Sequence, residues 1–87
     1  MEEILYIIQS LPEDYTTVQF QNKTYGLTKS TFNNGKSFKV FAEELQGTDF
    51  ISLNIYVTSN KTLLKPCEMS SEKVIAFLKQ MKEWLTY

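Results

Sequence analysis

The stretch Phe50-Ile51-Ser52-Leu53-Asn54-Ile55-Tyr56-Val57-Thr58 alternates without a break. Ile51, Leu53, Ile55 and Val57 fall to one side, and Phe50, Ser52, Asn54, Tyr56 and Thr58 to the other. A period of two marks a half-buried β-strand. Turn-forming pairs, Gln46-Gly47 and Ser59-Asn60, flank it. With Asn22-Lys23 and Asn34-Gly35 upstream, such pairs begin at positions 22, 34, 46 and 59. The segments between them are rich in Thr, Val, Ile, Phe and Tyr. The reading is a β-meander of strands about ten residues long joined by tight hairpins, over 15–21, 24–32, 37–45 and 49–58.

Strand parity then orients the side chains. A loop at Gln46-Gly47 pairs Leu45 with Thr48 and puts Phe38, Val40 and Ala42 on the face of Ile51, Leu53 and Ile55. A loop at Asn34-Gly35 adds Tyr25 and Leu27, and one at Asn22-Lys23 adds Val18 and Phe20. A one-residue slip of the pairing register would mix the faces, so their agreement supports all three. Lys29 falls on the apolar side: either it sits at a rim with its stem buried, or Gly26 marks a bulge that shifts parity.

Residues 2–11 place Ile4, Leu5, Ile8 and Leu11 on one helical face, with Glu2 and Glu3 at the positive N-terminal end; Pro12 ends that helix. Ser70 is positioned to cap a second helix. Its apolar stripe is Val74, Phe77, Leu78, Met81 and Leu85, flanked by Trp84. Lys61 to Lys65 reads as a short fifth strand or a packed connection. The order α-β-β-β-β-α predicts one α+β domain over 1–87, a four-stranded antiparallel meander with both helices on one face. Two helices 8–10 Å apart cover a sheet face of about 15–20 Å once, not twice.

Composition narrows the chemistry. The 87 residues carry a formal charge of -1 with no charge run, which argues against a strongly nucleic-acid-seeking chain. All nine basic residues are Lys, with neither His nor Arg. The usual general base and commonest metal ligand are therefore missing, as is the fork that grips phosphate or carboxylate bidentately. One cysteine permits no internal disulfide. Met1-Glu2-Glu3-Ile4 is unlike a signal peptide, and no apolar run reaches membrane-span length. A cytoplasmic location with no membrane association is the expectation, and no cofactor is implied.

The outward list is Tyr15, Thr17, Gln19, Gln21, Thr24, Thr28, Ser30, Phe32, Ser37, Lys39, Phe41, Glu43, Phe50, Ser52, Asn54, Tyr56 and Thr58. It is poor in charge and rich in hydroxyls and amides, with Phe41, Phe50 and Tyr56 as an aromatic group. Such a surface resembles an interface in composition, although Thr, Tyr and Phe also serve simply as strand formers. The expected binding residues are Phe41, Phe50 and Tyr56, supported by Thr28, Ser52 and Asn54, and the expected partner is another protein or a second copy.

Three other features carry weaker chemistry. The Lys23–Lys39 hairpin holds four lysines and no acid, and basic sheets with aromatics stack single-stranded bases. The α-β-β-β-α part of the order also resembles double-stranded RNA-binding domains, which use a basic start to their last helix; here that start is Ser70-Ser71-Glu72-Lys73. Cys67, in Lys65-Pro66-Cys67-Glu68-Met69, precedes a helix N-terminus and neighbours a lysine, a setting that activates thiols. No His or second Cys assists it, and the plain alternative is a small residue packed under the helix. Glu43, Glu44 and Asp49 flank a turn but are too few for a dedicated calcium site.

Three segments together resemble a small uncharacterised bacterial protein family: Tyr25-Gly26-Leu27-Thr28 through Ser37, Gly47-Thr48-Asp49-Phe50-Ile51-Ser52-Leu53-Asn54, and Leu64-Lys65-Pro66-Cys67-Glu68-Met69. Members of such families sometimes carry the name peptide methionine sulfoxide reductase. The resemblance implies a bacterial, cytoplasmic protein, with thiol-dependent reduction at Cys67 as the enzymatic alternative. The first class of those enzymes sets its nucleophile in Gly-Cys-Phe-Trp, whereas Glu68 and Met69 follow Cys67, so no catalytic residue carries over. The expected function is a non-enzymatic interaction or self-association module. Weak single-stranded nucleic-acid binding by Lys23–Lys39 is a second alternative.

Overall fold

A computed structural model describes residues 2–83. Helix α1 (Glu2–Ser10) is followed by strands β1 (Asp14–Phe20), β2 (Lys23–Phe32), β3 (Ser37–Glu44), β4 (Phe50–Val57) and β5 (Thr62–Pro66), helix α2 (Ser71–Gln80) and a two-residue strand β6 (Lys82–Glu83). The fold is α+β with one antiparallel sheet ordered β5-β4-β3-β2-β1-β6. No helix among the described residues is long and apolar enough to cross a membrane.

The strand count corrects the four expected. Thr62–Pro66 pairs with β4, Val57 opposite Thr62 and Leu53 opposite Pro66. Thr58 builds the turn that starts it: its backbone N–H donates to the Lys61 carbonyl at 2.8 Å, and its Oγ1 accepts the Lys61 N–H at 3.1 Å. The second helix is also shorter than its apolar period suggested. Met81 is extended at φ -66, ψ 151, and Lys82 turns back to pair with Gln19 of β1. Leu85 and Trp84 lie outside the described residues.

Two of the three expected registers are those observed, with Phe32 opposite Ser37 and Glu43 opposite Phe50. The loop after β2 is wider than two residues: Asn33–Gly35 form a 3-10 turn, and the Lys36 N–H donates to the Phe32 carbonyl at 3.2 Å. The first hairpin differs. Its loop is Gln21-Asn22, at φ 50 and 64, with Phe20 opposite Lys23. Two consecutive residues at positive φ suit the right-handed twist of a tight hairpin. The shift moves the register by two residues, so every side chain keeps its face.

Val18, Tyr25, Leu27, Phe38, Val40, Ala42, Ile51, Leu53 and Ile55 are all buried. They form one cluster with Ile4, Ile8 and Leu11 and with Val74, Phe77 and Leu78 of α2; Phe20 packs on it partly buried. Ser70 caps α2, its Oγ accepting the Lys73 N–H at 3.1 Å.

Lys29 is buried among these residues without a bulge, since the β1–β2 and β2–β3 pairings run unbroken through Gly26. Its Nζ donates to the Leu11 carbonyl at 2.8 Å and reaches the Gln9 carbonyl at 3.4 Å. It also lies 5.6 Å from the centre of the Phe38 ring. A cation at the carbonyl end of a helix satisfies acceptors that the helix leaves unpaired.

Candidate functional site

The sheet face away from the apolar cluster carries ordered rows of side chains. One row runs Tyr15, Thr28, Phe41, Ser52 through strand pairing. Cys67 continues it, its N–H donating to the Ser52 carbonyl at 2.9 Å. On one side lies the row Thr17, Gly26, Glu43, Phe50; on the other lie Ser30, Lys39, Asn54, Lys65 and then Phe32, Ser37, Tyr56, Leu63. Thr28, Phe41, Phe50, Ser52, Asn54 and Tyr56 therefore share one face, as their parity predicts.

Exposure separates them. Phe41, Phe50 and Tyr56 are exposed, at 37%, 37% and 42%. Phe41 and Phe50 are tilted neighbours with ring centres 6.2 Å apart, within the range of favourable aromatic pairs. Thr28, Ser30, Lys39, Phe41 and Ser52 line an open depression of about 580 Å³. Ser52 and Asn54 are half-buried within the ladder. Ser37 departs from its expected role: it has the outward register but is buried, its Oγ accepting from Asn33 Nδ2 at 2.9 Å.

Cys67 lies in register with Ser52, on the polar row and not under α2. It is half-buried, and Asn54 Nδ2 donates to its Sγ at 3.5 Å. The thiol thus takes its hydrogen bond from an uncharged amide, whereas a nucleophilic cysteine is usually activated by a paired cation.

The charges on this face are few. Lys39 and Glu43 are exposed, two residues to either side of Phe41 on β3. The ion pairs among the described residues are Lys73–Asp49 and Lys79–Glu3, so neither residue is engaged in one. Of the lysines in the Lys23–Lys39 hairpin, Lys29 is committed to the end of α1, which splits the basic cluster between the two faces.

Two arrangements escaped the sequence reading. Tyr15 lies across Gly26, where a Cβ would come within 2.5 Å of its hydroxyl; a glycine in a strand interior is the signal for such a close approach. Asp49 accepts from Tyr25 Oη and Lys73 Nζ, each at 2.7 Å. That engagement removes Asp49 from the acidic turn that suggested a cation. No family model, curated protein or solved structure matches the chain.

Proposed function

We propose that the chain is a non-enzymatic module that binds a protein partner, or a second copy of itself, through the polar sheet face. In this reading both helices lie on the opposite face and leave the polar one open. The observation that carries it is the exposure of Phe41, Phe50 and Tyr56 on a single face whose remaining side chains are mostly uncharged. Exposed aromatics with depleted charge are what distinguish the centre of an interface from ordinary surface. Thr28, Ser52 and Asn54 supply hydroxyl and amide groups for hydrogen bonds around them.

The test is Phe41→Ser combined with Tyr56→Ser. Both side chains lie outside the buried cluster, so the variant retains its circular dichroism spectrum. Association, followed by sedimentation and by affinity capture from the native cell, disappears. A wild-type chain that stays monomeric at high concentration and retains no partner defeats the reading.

A further inference from the structure

We infer that the occupant of the polar face is a second copy of this chain, stacked face to face about a two-fold axis along the Thr28–Phe41–Ser52 row. The inference rests on the interaction reading above and gives it a partner and a geometry.

The argument begins with β3. Lys39, Phe41 and Glu43 project on one face of this inner strand, with the aromatic ring midway between a cation and an anion. Residues two apart on a strand are separated by about 6.8 Å. A two-fold axis through Phe41, running across the strands, leaves each strand over its counterpart and exchanges the two flanking rows. Phe41 then meets the second copy's Phe41, Lys39 meets its Glu43, and Glu43 meets its Lys39. A closed dimer requires that reciprocity, in which residue i contacts j and j contacts i. Both charged side chains are exposed and outside any ion pair among the described residues. Sheets packed face to face, about 10 Å apart and turned by about 30°, retain this correspondence near the axis.

The face is also large enough. With strands spaced by about 4.8 Å and rows about 6.8 Å apart, the Phe41 row crossing five strands and its three neighbours four each, the face spans at most roughly 24 by 27 Å. Side-chain relief raises the accessible area above that plane, toward the roughly 800 Å² per partner of a standard interface. Edge-to-edge association is less suited. The outer strand β5 is short, is bordered by Lys61 and carries Lys65 and Pro66, and lysine and proline guard edges against pairing. At the other edge, β6 occupies part of β1.

Charge exchange tests the geometry. Lys39→Glu alone sets acid against acid twice, and Glu43→Lys alone sets lysine against lysine twice. Each single variant should weaken self-association at least about tenfold in sedimentation equilibrium. Lys39→Glu combined with Glu43→Lys should restore it. A mixture of the two single variants should form one-to-one dimers that neither forms alone, because every facing pair is then opposite in sign. Unchanged spectra of each variant keep the comparison independent of folding. If wild type associates and Phe41→Ser/Tyr56→Ser abolishes this, but mixing restores nothing, the two-fold arrangement is overturned while the interaction face stands. A wild-type monomer at millimolar concentration overturns the second copy as occupant. The wider reading then stands only if a captured partner is lost with Phe41 and Tyr56.

Discussion

Tyr25 donates its phenolic proton to Oδ2 of Asp49 at 2.7 Å, across 24 positions of sequence. Tyr25 is 1% exposed, its ring packed edge-on to Phe77 with centres 5.1 Å apart. The other oxygen of Asp49 takes the Lys73 ammonium at 2.7 Å. The Asp49 N–H reaches Glu44 Oε1 at 3.3 Å, and the Glu44 N–H donates to the Asp49 carbonyl at 2.8 Å. One carboxylate thereby ties β2, the β3–β4 turn and the first turn of α2.

Burial, then the hydrogen bond to Asp49, pushes the Tyr25 hydroxyl well above its ordinary value of 10.0. Folding therefore favours the protonated phenol. Below pH 10 both folded and unfolded chains hold that proton and the stability is intact; above it the unfolded chain ionises first and stability falls. Tyr25→Phe should lose about 0.5–1.5 kcal/mol at pH 7 through the missing hydrogen bond. That corresponds to a melting temperature lower by roughly 4–8 °C per kcal/mol. The same variant should show a shallower decline between pH 10 and 12. Thermal melts across that range check it; an equally steep decline in Tyr25→Phe excludes Tyr25 as the source.

Asp49 responds in the opposite direction. Its hydrogen bonds, to Lys73 first and Tyr25 second, hold the carboxyl below its ordinary 3.8. The stability it contributes is present above that value and is lost as pH falls through the lower, folded-state one. Side-chain exposures of 30% for Asp49 and 43% for Lys73 mean that solvent screens the pair. Asp49→Asn should therefore cost only about 1 kcal/mol at pH 7 in low salt, and less in molar salt. Its acid unfolding curve should be flatter below pH 4. Glu13, lowered by its bonds to Thr31, acts in the same direction and keeps part of the wild-type slope. Urea melts at pH 7 and pH 3 measure the difference.

At the other end of the apolar cluster, Lys29 makes the strongest substitution test of the fold. Lys29→Met retains the stem but leaves the Leu11 carbonyl without the ammonium donor and the Gln9 carbonyl without its longer contact. An acceptor stranded in this way costs about 1–3 kcal/mol. Faster amide exchange in α1, with β3 and β4 unchanged relative to global stability, is the expected pattern. Uniform acceleration would mean that Lys29 supports the whole cluster rather than the helix end.

The faces of the sheet were legible because side-chain parity survives small errors in loops. Gln21 is not a typical turn residue, so the local pattern puts the first hairpin one residue late, yet this moves the register by two and Val18 stays inside. The end of α2 was not legible. Neither Gly nor Pro follows Gln80, and Met81 fits the helical stripe, yet its backbone is extended and the chain pairs with β1. Pairing energy from a strand distant in sequence overrides local period there. The Tyr25–Asp49–Lys73 link was equally hidden. It depends on where a turn falls over the sheet, which no local pattern encodes, whereas Phe41, Phe50 and Tyr56 could be grouped by alternation alone.

Cys67 offers a reporter for the same surface. Its thiol is half-buried at the end of the Phe41 row and takes an amide donor from Asn54. Alkylation requires thiolate and access. Partial burial should make iodoacetamide labelling at neutral pH slower than that of a cysteine in an unfolded peptide. Asn54→Ala should speed it by opening one side of the sulfur. Raising protein concentration should slow it again if a second copy covers the row, and Phe41→Ser/Tyr56→Ser should abolish that protection. Intact-mass spectrometry over time reads all three effects. Labelling faster than the peptide would instead reveal an activated thiol and favour reduction chemistry at Cys67 over the binding role proposed for this face.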